Sequence, residues 1–370
     1  MIKESSGKKT EGDSGLSGRV EPSSPRYFRY DFARAVAIIF VVAVHSLCVV
    51  NMPSSVGYYY VLVGQTVFFA GNAIFFLISG KFNLKVRATD ADLKKYYLSK
   101  VRNILIPTII VFALRTLYET LQDWQGFGFL VKQFIRNTSF QYGGIEYWFV
   151  FALFGYLLVA PYLAKGLNGL SRFSMKVFFW IGMIYNLLSL VAVLCGYSFG
   201  WGYLLGGGAF AFCMGRFIEE FFCEKKWRNL LWATLPLMIY VTVVSVRFAR
   251  DNMGIYGNSP FFDTSPAMLL VSFALYLGLL ALGDRVGSCK IFSFVAKHSF
   301  GVYLVHNVIL GLYVSLVPQI EGVASIPFHW LTTLCVLVLS LMLAVVLEAV
   351  FINPAKKLFD RCVKCWDKLR

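Results

Sequence analysis

Asp31-Phe-Ala-Arg34-Ala-Val-Ala-Ile-Ile-Phe-Val-Val-Ala-Val-His45-Ser-Leu-Cys-Val-Val50 decides how this chain is read. The apolar span over 33–50 is close to membrane-crossing length, yet it carries a guanidinium at its start and an imidazole deep inside. Working outward, similar stretches recur between short polar breaks at 58–80, 103–121, 147–164, 174–195, 199–217, 229–247, 265–283, 299–317 and 329–353. The expected fold is all-α: a polytopic integral membrane protein of about ten transmembrane helices, occupying 30–354. Residues 1–29 are polar and lack an apolar run, so they read as a disordered cytoplasmic tail, not a secretory signal. Residues 355–370 read as a basic cytoplasmic tail.

Composition agrees with this reading. Hydrophobic residues make up 58% of the 370 and charged residues 15%, with a mean hydropathy of +0.64. A soluble domain is roughly 45–50% apolar and about 25% charged, so a soluble enzyme and a disordered chain are both excluded. The net charge of +15 has a topological explanation. With the N-terminal tail placed in the cytoplasm, 29 of the 35 Lys and Arg fall on the cytoplasmic side and 4 on the other; Arg34 and Arg115 lie within spans. That bias supports an N-in, C-in arrangement and removes the need for a nucleic-acid partner.

Cysteine carries little functional signal. Cys48, Cys195, Cys213 and Cys335 sit in apolar spans as small hydrophobes, and Cys223 and Cys289 fall in cytoplasmic breaks. Cys362 and Cys365 form a single C-x-x-C with no second pair, so no metal site is expected.

Ionisable residues in hydrocarbon are costly and mark function. Eleven residues separate Arg34 from His45, which returns them to one helix face about 16 Å apart along the axis. Asp31, three residues before Arg34, is placed to pair with it. The ninth span repeats the pattern with Ser299, Tyr303 and His306 on one face, beside Asn307, and puts His306 at a depth similar to that of His45. Gln65, Asn72 and Ser79 recur every seven residues along the second span, as interhelical hydrogen-bond partners or as site residues. Arg115 and Glu119 read as an intrahelical pair, Gly206-Gly207-Gly208 as a packing surface, and Glu348 as an acid without an assigned partner.

Four stretches together resemble the membrane acyltransferase-3 family, integral-membrane O-acyltransferases of cell-envelope glycans. Arg34 followed by ten residues and His45 is similar to the family's opening motif, and Asn72-Ala-Ile-Phe-Phe-Leu-Ile-Ser79-Gly80 to its second-span signature. Tyr147-Trp148-Phe149 with Pro161 resembles its Trp-Phe pattern, and His298-Ser299-Phe-Gly301-Val-Tyr303-Leu-Val-His306 its Ser-x-Gly-x-Tyr-x-x-His block. The chain departs from the family at Ala35, where Gly is frequent, at Glu146, displaced from the usual polar position before Trp-Phe, and at Asn103, where a second Arg is common. No extracytoplasmic esterase-like domain is read after the last span, so transfer is expected to finish within this chain or to pass to separate glycan-assembly proteins.

The resemblance implies acyl-CoA, expected as acetyl-CoA, as a donor substrate from the cytoplasm, with no permanently bound cofactor. Arg34, Lys81, Lys100 and Arg102 would meet its phosphates, for which guanidinium offers a fork of donors. Asp31 would hold Arg34, and His45 would act as general base or be acylated itself. Tyr303, His306 or Ser79 would donate to the developing oxyanion. Trp148 and Glu146 would contact the acceptor, an envelope polysaccharide or lipid-linked sugar. The expected location is the bacterial cytoplasmic membrane, among membrane lipids. The rival class is a transporter or flippase of a sugar or lipid-linked intermediate, against which stands the lack of a convincing internal repeat.

Overall fold

The computed structural model describes residues 27–86, 89–121, 124–138, 147–197, 205–254, 261 and 265–368. The described chain forms α1 (Phe28–Ser46), α2 (Ser55–Phe68), α3 (Ala70–Asn83), α4 (Asp90–Lys100), α5 (Ile106–Leu121), α6 (Phe127–Thr138), α7 (Trp148–Leu167) and α8 (Arg172–Leu194). It continues with α9 (Gly207–Met214), α10 (Ile218–Phe221), α11 (Lys225–Met253), α12 (Pro266–Val286), α13 (Lys290–Leu316), α14 (Ser325–Leu347) and α15 (Asn353–Lys368). Nine helical runs among the described residues are long and apolar enough to cross a membrane. The protein is an all-α, multi-pass membrane protein.

Several helices outrun their apolar segments. The third run begins at Asp90, not at 103, because Thr89 caps α4 by accepting from the Asp92 amide; a π-turn over Val101–Leu105 then joins α4 to α5. Likewise α14 passes through a second π-turn, Glu348–Ile352, into α15, so much of the expected C-terminal tail is helical. Polar residues can extend a helix beyond the bilayer once its nucleus is formed, and hydropathy does not register them. The expected sixth span, 199–217, is helical over Gly207–Met214, while 198–204 lie outside the described residues.

Ion pairs and hydrogen bonds sort the chain into two ends. At the near end, Arg29 meets Glu219 and Asp284, Lys81 meets Glu219, and Asn168 joins the Leu84 carbonyl to Arg216. At the far end, Asn51 pairs with Glu321, and the Arg247 guanidinium donates to Tyr59. The chain therefore returns to the near end between α8 and Arg216.

The centre of the bundle is α1. Ala33, Ala35, Ala37, Ile38, Val41, Val42 and Ala43 are all buried, and α3, α12, α13 and α14 pack around them. Small side chains allow this close approach, as they do in membrane bundles generally. Gly80 of α3 and Gly215 after α9 mark a tight crossing: a Cβ at Gly80 would lie 1.8 Å from the Phe212 carbonyl oxygen, and one at Gly215 would lie 2.1 Å from that of Leu77. By contrast, α8 and α11 turn large apolar side chains outward, among them Trp180, Ile184, Tyr240 and Phe248.

Candidate active site

Two helices deliver the histidines. Both α1 and α13 start at the near end; His45 lies 17 residues into the first and His306 16 residues into the second. At 1.5 Å per residue both stand about 25 Å from their starts, and parallel packing brings them level. Their rings meet edge to face with centroids 5.0 Å apart and planes at 70°. The expected common depth is thus a contact.

Backbone carbonyls set the tautomers. His45 Nδ1 lies 2.7 Å from the Val41 carbonyl oxygen, and His306 Nδ1 lies 2.7 Å from that of Tyr303. A carbonyl only accepts, so each Nδ1 carries the hydrogen and each neutral ring presents Nε2 as a base. His306 is 1% exposed, and its buried Nε2 has no hydrogen-bond partner. Such an atom is costly in an apolar interior and has the capacity to accept a hydrogen from a donor.

Aromatic side chains wall the pair. Tyr303 packs 5.5 Å from the His306 ring and 5.1 Å from Phe149. Tyr147 fixes α7 against α13 by donating to the Leu304 carbonyl at 2.9 Å. Trp148 reaches Phe76 and, together with Asn72 of α3, lines a cavity of about 20 Å³ in which Asn72 Oδ1 is buried without a partner. Glu146 lies outside the described residues.

The basic residues spread along the near end. Arg34 lies 3.9 Å from Asp31, as its spacing implied, with Arg34 32% exposed and Asp31 6%. Lys81 is taken up by Glu219 at 2.8 Å, Arg102 by Asp360 at 3.0 Å, and Lys100 sits over the Tyr96 ring at 4.6 Å. The Ser79 carbonyl accepts from Asn83 within α3. The Arg115–Glu119 pair forms at 2.8 Å and is extended by Asn137 of α6.

Three features escape a reading of the sequence. Glu219 collects Arg29 at 2.6 Å, Lys81 at 2.8 Å, Tyr30 at 2.9 Å and Tyr276 at 3.4 Å. Burial alone would raise its carboxyl, but the Lys81 contact, with Tyr30 and Arg29, brings it below the usual carboxylate range. Glu348 has a partner in His298, whose Nδ1 lies 3.0 Å away, because Gly301 lets α13 approach α14: a Cβ there would lie 2.9 Å from that of Ala344. His329 of α14 places Nε2 2.9 Å from the Ala43 carbonyl, two residues before His45, and its Nδ1 2.8 Å from Tyr60 Oη. The only sequence signal for these was an ionisable residue at a span's edge. Among the described residues, no group of three or more His, Cys, Asp or Glu is gathered to hold a metal ion.

The arrangement is two imidazoles in contact, His306 buried and His45 partly so, walled by aromatics, on the deep part of a helix whose near end carries a guanidinium. It matches a family model described as an acyltransferase domain over residues 27–349. The chain belongs to that acyltransferase family. No curated protein and no solved structure matches it. The matched region contains every histidine of the acyltransferase, the Glu219 cluster and the His298–Glu348 pair.

Proposed function

We propose that this acyltransferase moves an acyl group, as acetyl, from cytoplasmic acyl-CoA to a hydroxyl of an envelope polysaccharide or lipid-linked sugar. The observation that carries the reading is the contact of His45 with His306, each with Nδ1 tied to its own helix. A sugar hydroxyl is a weak nucleophile until its proton is withdrawn as it attacks the thioester carbonyl, and an imidazole Nε2 suits that task. His45 takes the proton; His306, lodged beside it, holds the charged ring or the incoming hydroxyl in place. Tyr303 stands at the same contact as a donor to the oxyanion.

The excess of Lys and Arg at the near end supports placing that end in the cytoplasm, with N-in and C-in termini. CoA phosphates then meet Arg34 at the rim, while Lys81 and Arg102, each held by a carboxylate, shape the rim.

The test is donor kinetics with purified protein in detergent. Acetyl-CoA raises the unfolding temperature and is turned over. Arg34→Ala raises KM for acetyl-CoA about tenfold, about 1.4 kcal/mol of binding, with kcat within threefold of wild type. Unchanged KM in that variant removes Arg34 from donor recognition, and no turnover of any acyl-CoA by the wild-type protein removes the reading.

A further inference from the structure

At the far end of the bundle two depressions meet at one cluster of side chains. The first, of about 610 Å³, opens beside the segment that follows α1 and is lined by Ser54, Ser55, Tyr58, Tyr59, Arg247 and Asp251. The second, of about 870 Å³, follows α2 and α11 from Asn252 down to Pro236, about 24 Å of helix, between apolar walls that include Val63, Val243 and Phe248. Tyr59, Arg247 and Asp251 belong to both. The first depression mixes hydroxyl, charged and aromatic groups with Val50, Met52, Pro53 and Val61, while the second is the more apolar and lies on the outward side of the helices.

We infer that this compound surface receives the acceptor as a sugar joined through a phosphate to a long aliphatic chain. The inference rests on the reading of the protein as an O-acyltransferase with a hydroxyl acceptor, and it specifies which of the two acceptor classes binds. In such a molecule the phosphate lies between a polar head and an apolar tail. Arg247 lies at the corresponding point, where the mixed mouth gives way to the more apolar groove. Its Nε is 3.2 Å from Asp251 Oδ2 and its Nη1 donates to Tyr59 Oη, which aims the guanidinium while leaving the side chain 52% exposed. A guanidinium fork suits phosphate oxygens, and this is the end of the molecule where cations are scarce, with 4 of 35 Lys and Arg.

The mouth has the chemistry of a sugar site. The Tyr58 and Tyr59 rings stand 5.7 Å apart at 74°, offering faces for the C–H surfaces of a pyranose, and Tyr58 Oη is buried without a hydrogen-bond partner. Ser54, Ser55 and Asp251 add hydroxyl and carboxylate groups around it. Val50 of the mouth follows His45 by five residues, about 8–10 Å of helical rise, so a bound head group lies close to the base. A glycerophospholipid would occupy the groove and touch Arg247, yet leave most of the mouth unfilled.

Retention of a long-chain polyprenyl phosphate by the full-length protein in nanodiscs, read by native mass spectrometry against an equal amount of phosphatidylglycerol, tests this. The wild-type protein retains the polyprenyl phosphate at least tenfold over phosphatidylglycerol. Arg247→Ala, with its fold checked by thermal unfolding, loses about tenfold. Val244→Trp, at a wall position of the groove that is 43% exposed, fills the groove without altering charge, loses retention comparably and decides the matter if the arginine variant does not fold. Equal retention of the two lipids, or undiminished retention in a folded variant, overturns the proposal. Acetyl-CoA turnover by the wild-type protein in the same nanodiscs reports separately on the donor half, so failure of the acceptor proposal is not mistaken for failure of the enzyme reading.

Discussion

Two clusters of polar side chains interrupt the apolar interior of this acyltransferase, and they are built on opposite terms. At the near end, Glu219 is surrounded by Arg29, Lys81, Tyr30 and Tyr276, so each of its oxygens is engaged. Toward the far end of the bundle, His45 and His306 each spend one nitrogen on their own helix, and the second nitrogen of His306 is buried with no partner. A network satisfied on all sides holds helices together, because the desolvation of its charges is offset only by complete pairing. A buried atom left unsatisfied costs stability and persists where a substrate completes it. On the proposed mechanism, the first cluster carries the fold and the second the chemistry.

The comparison breaks at the histidines with the largest effect. His306→Ala lowers kcat by roughly 10²–10³, the scale of losing the group that holds the base or the hydroxyl in place, and leaves the unfolding temperature in detergent unchanged or slightly raised. Activity within threefold of wild type would place His306 with the structural residues.

Glu219 behaves in the reverse way. Glu219→Gln removes the charge that Arg29 and Lys81 share, and costs about 3 kcal/mol of stability, with kcat retained by the fraction that folds. The pH dependence follows from the direction of its shift. Its carboxyl titrates lower in the folded protein than in the unfolded chain, so on acidification the unfolded state takes up the proton first. The stabilisation is complete above the unfolded carboxyl value of 4.5 and fades as pH falls below it. Thermal scans across that window show the loss in the wild-type protein and not in the Gln variant; parallel curves would deny Glu219 this role.

A smaller effect sharpens the boundary between the clusters. His329 donates to the Ala43 carbonyl, two residues before His45, and on the proposed mechanism it positions that imidazole. His329→Phe lowers kcat about tenfold with KM for acetyl-CoA unchanged, and His329→Gln, whose amide still donates to Ala43, recovers most of it. Equal loss in both variants would indicate packing alone.

The fold was legible because lipid demands it. An apolar run with internal hydrogen bonds must be helical, and Lys and Arg sort by side. The level placement of His45 and His306 was also legible, since both sit at similar distances from polar breaks. What was hidden depends on which helices are neighbours. The Glu348–His298 and Glu219 contacts join residues far apart in sequence, through close approaches allowed by Gly301, Gly80 and Gly215, and no periodicity encodes them. Helix ends were misplaced for a local reason: Thr89 and the π-turns extend α4 and α15 through polar sequence that hydropathy scores as loop. Two of the cations grouped as a phosphate site, Lys81 and Arg102, prove to be held by Glu219 and Asp360, partners that lie more than 100 residues away in the chain.

Withdrawal of the acceptor's hydroxyl proton by His45 is the step on which the proposed mechanism depends. It is tested most directly by single-turnover acyl transfer in purified His45→Ala protein, with CoA binding measured alongside by thermal protection. The account predicts intact protection by CoA and transfer slowed by about 10³ or more. Transfer at the wild-type rate in a variant that still binds CoA would contradict it.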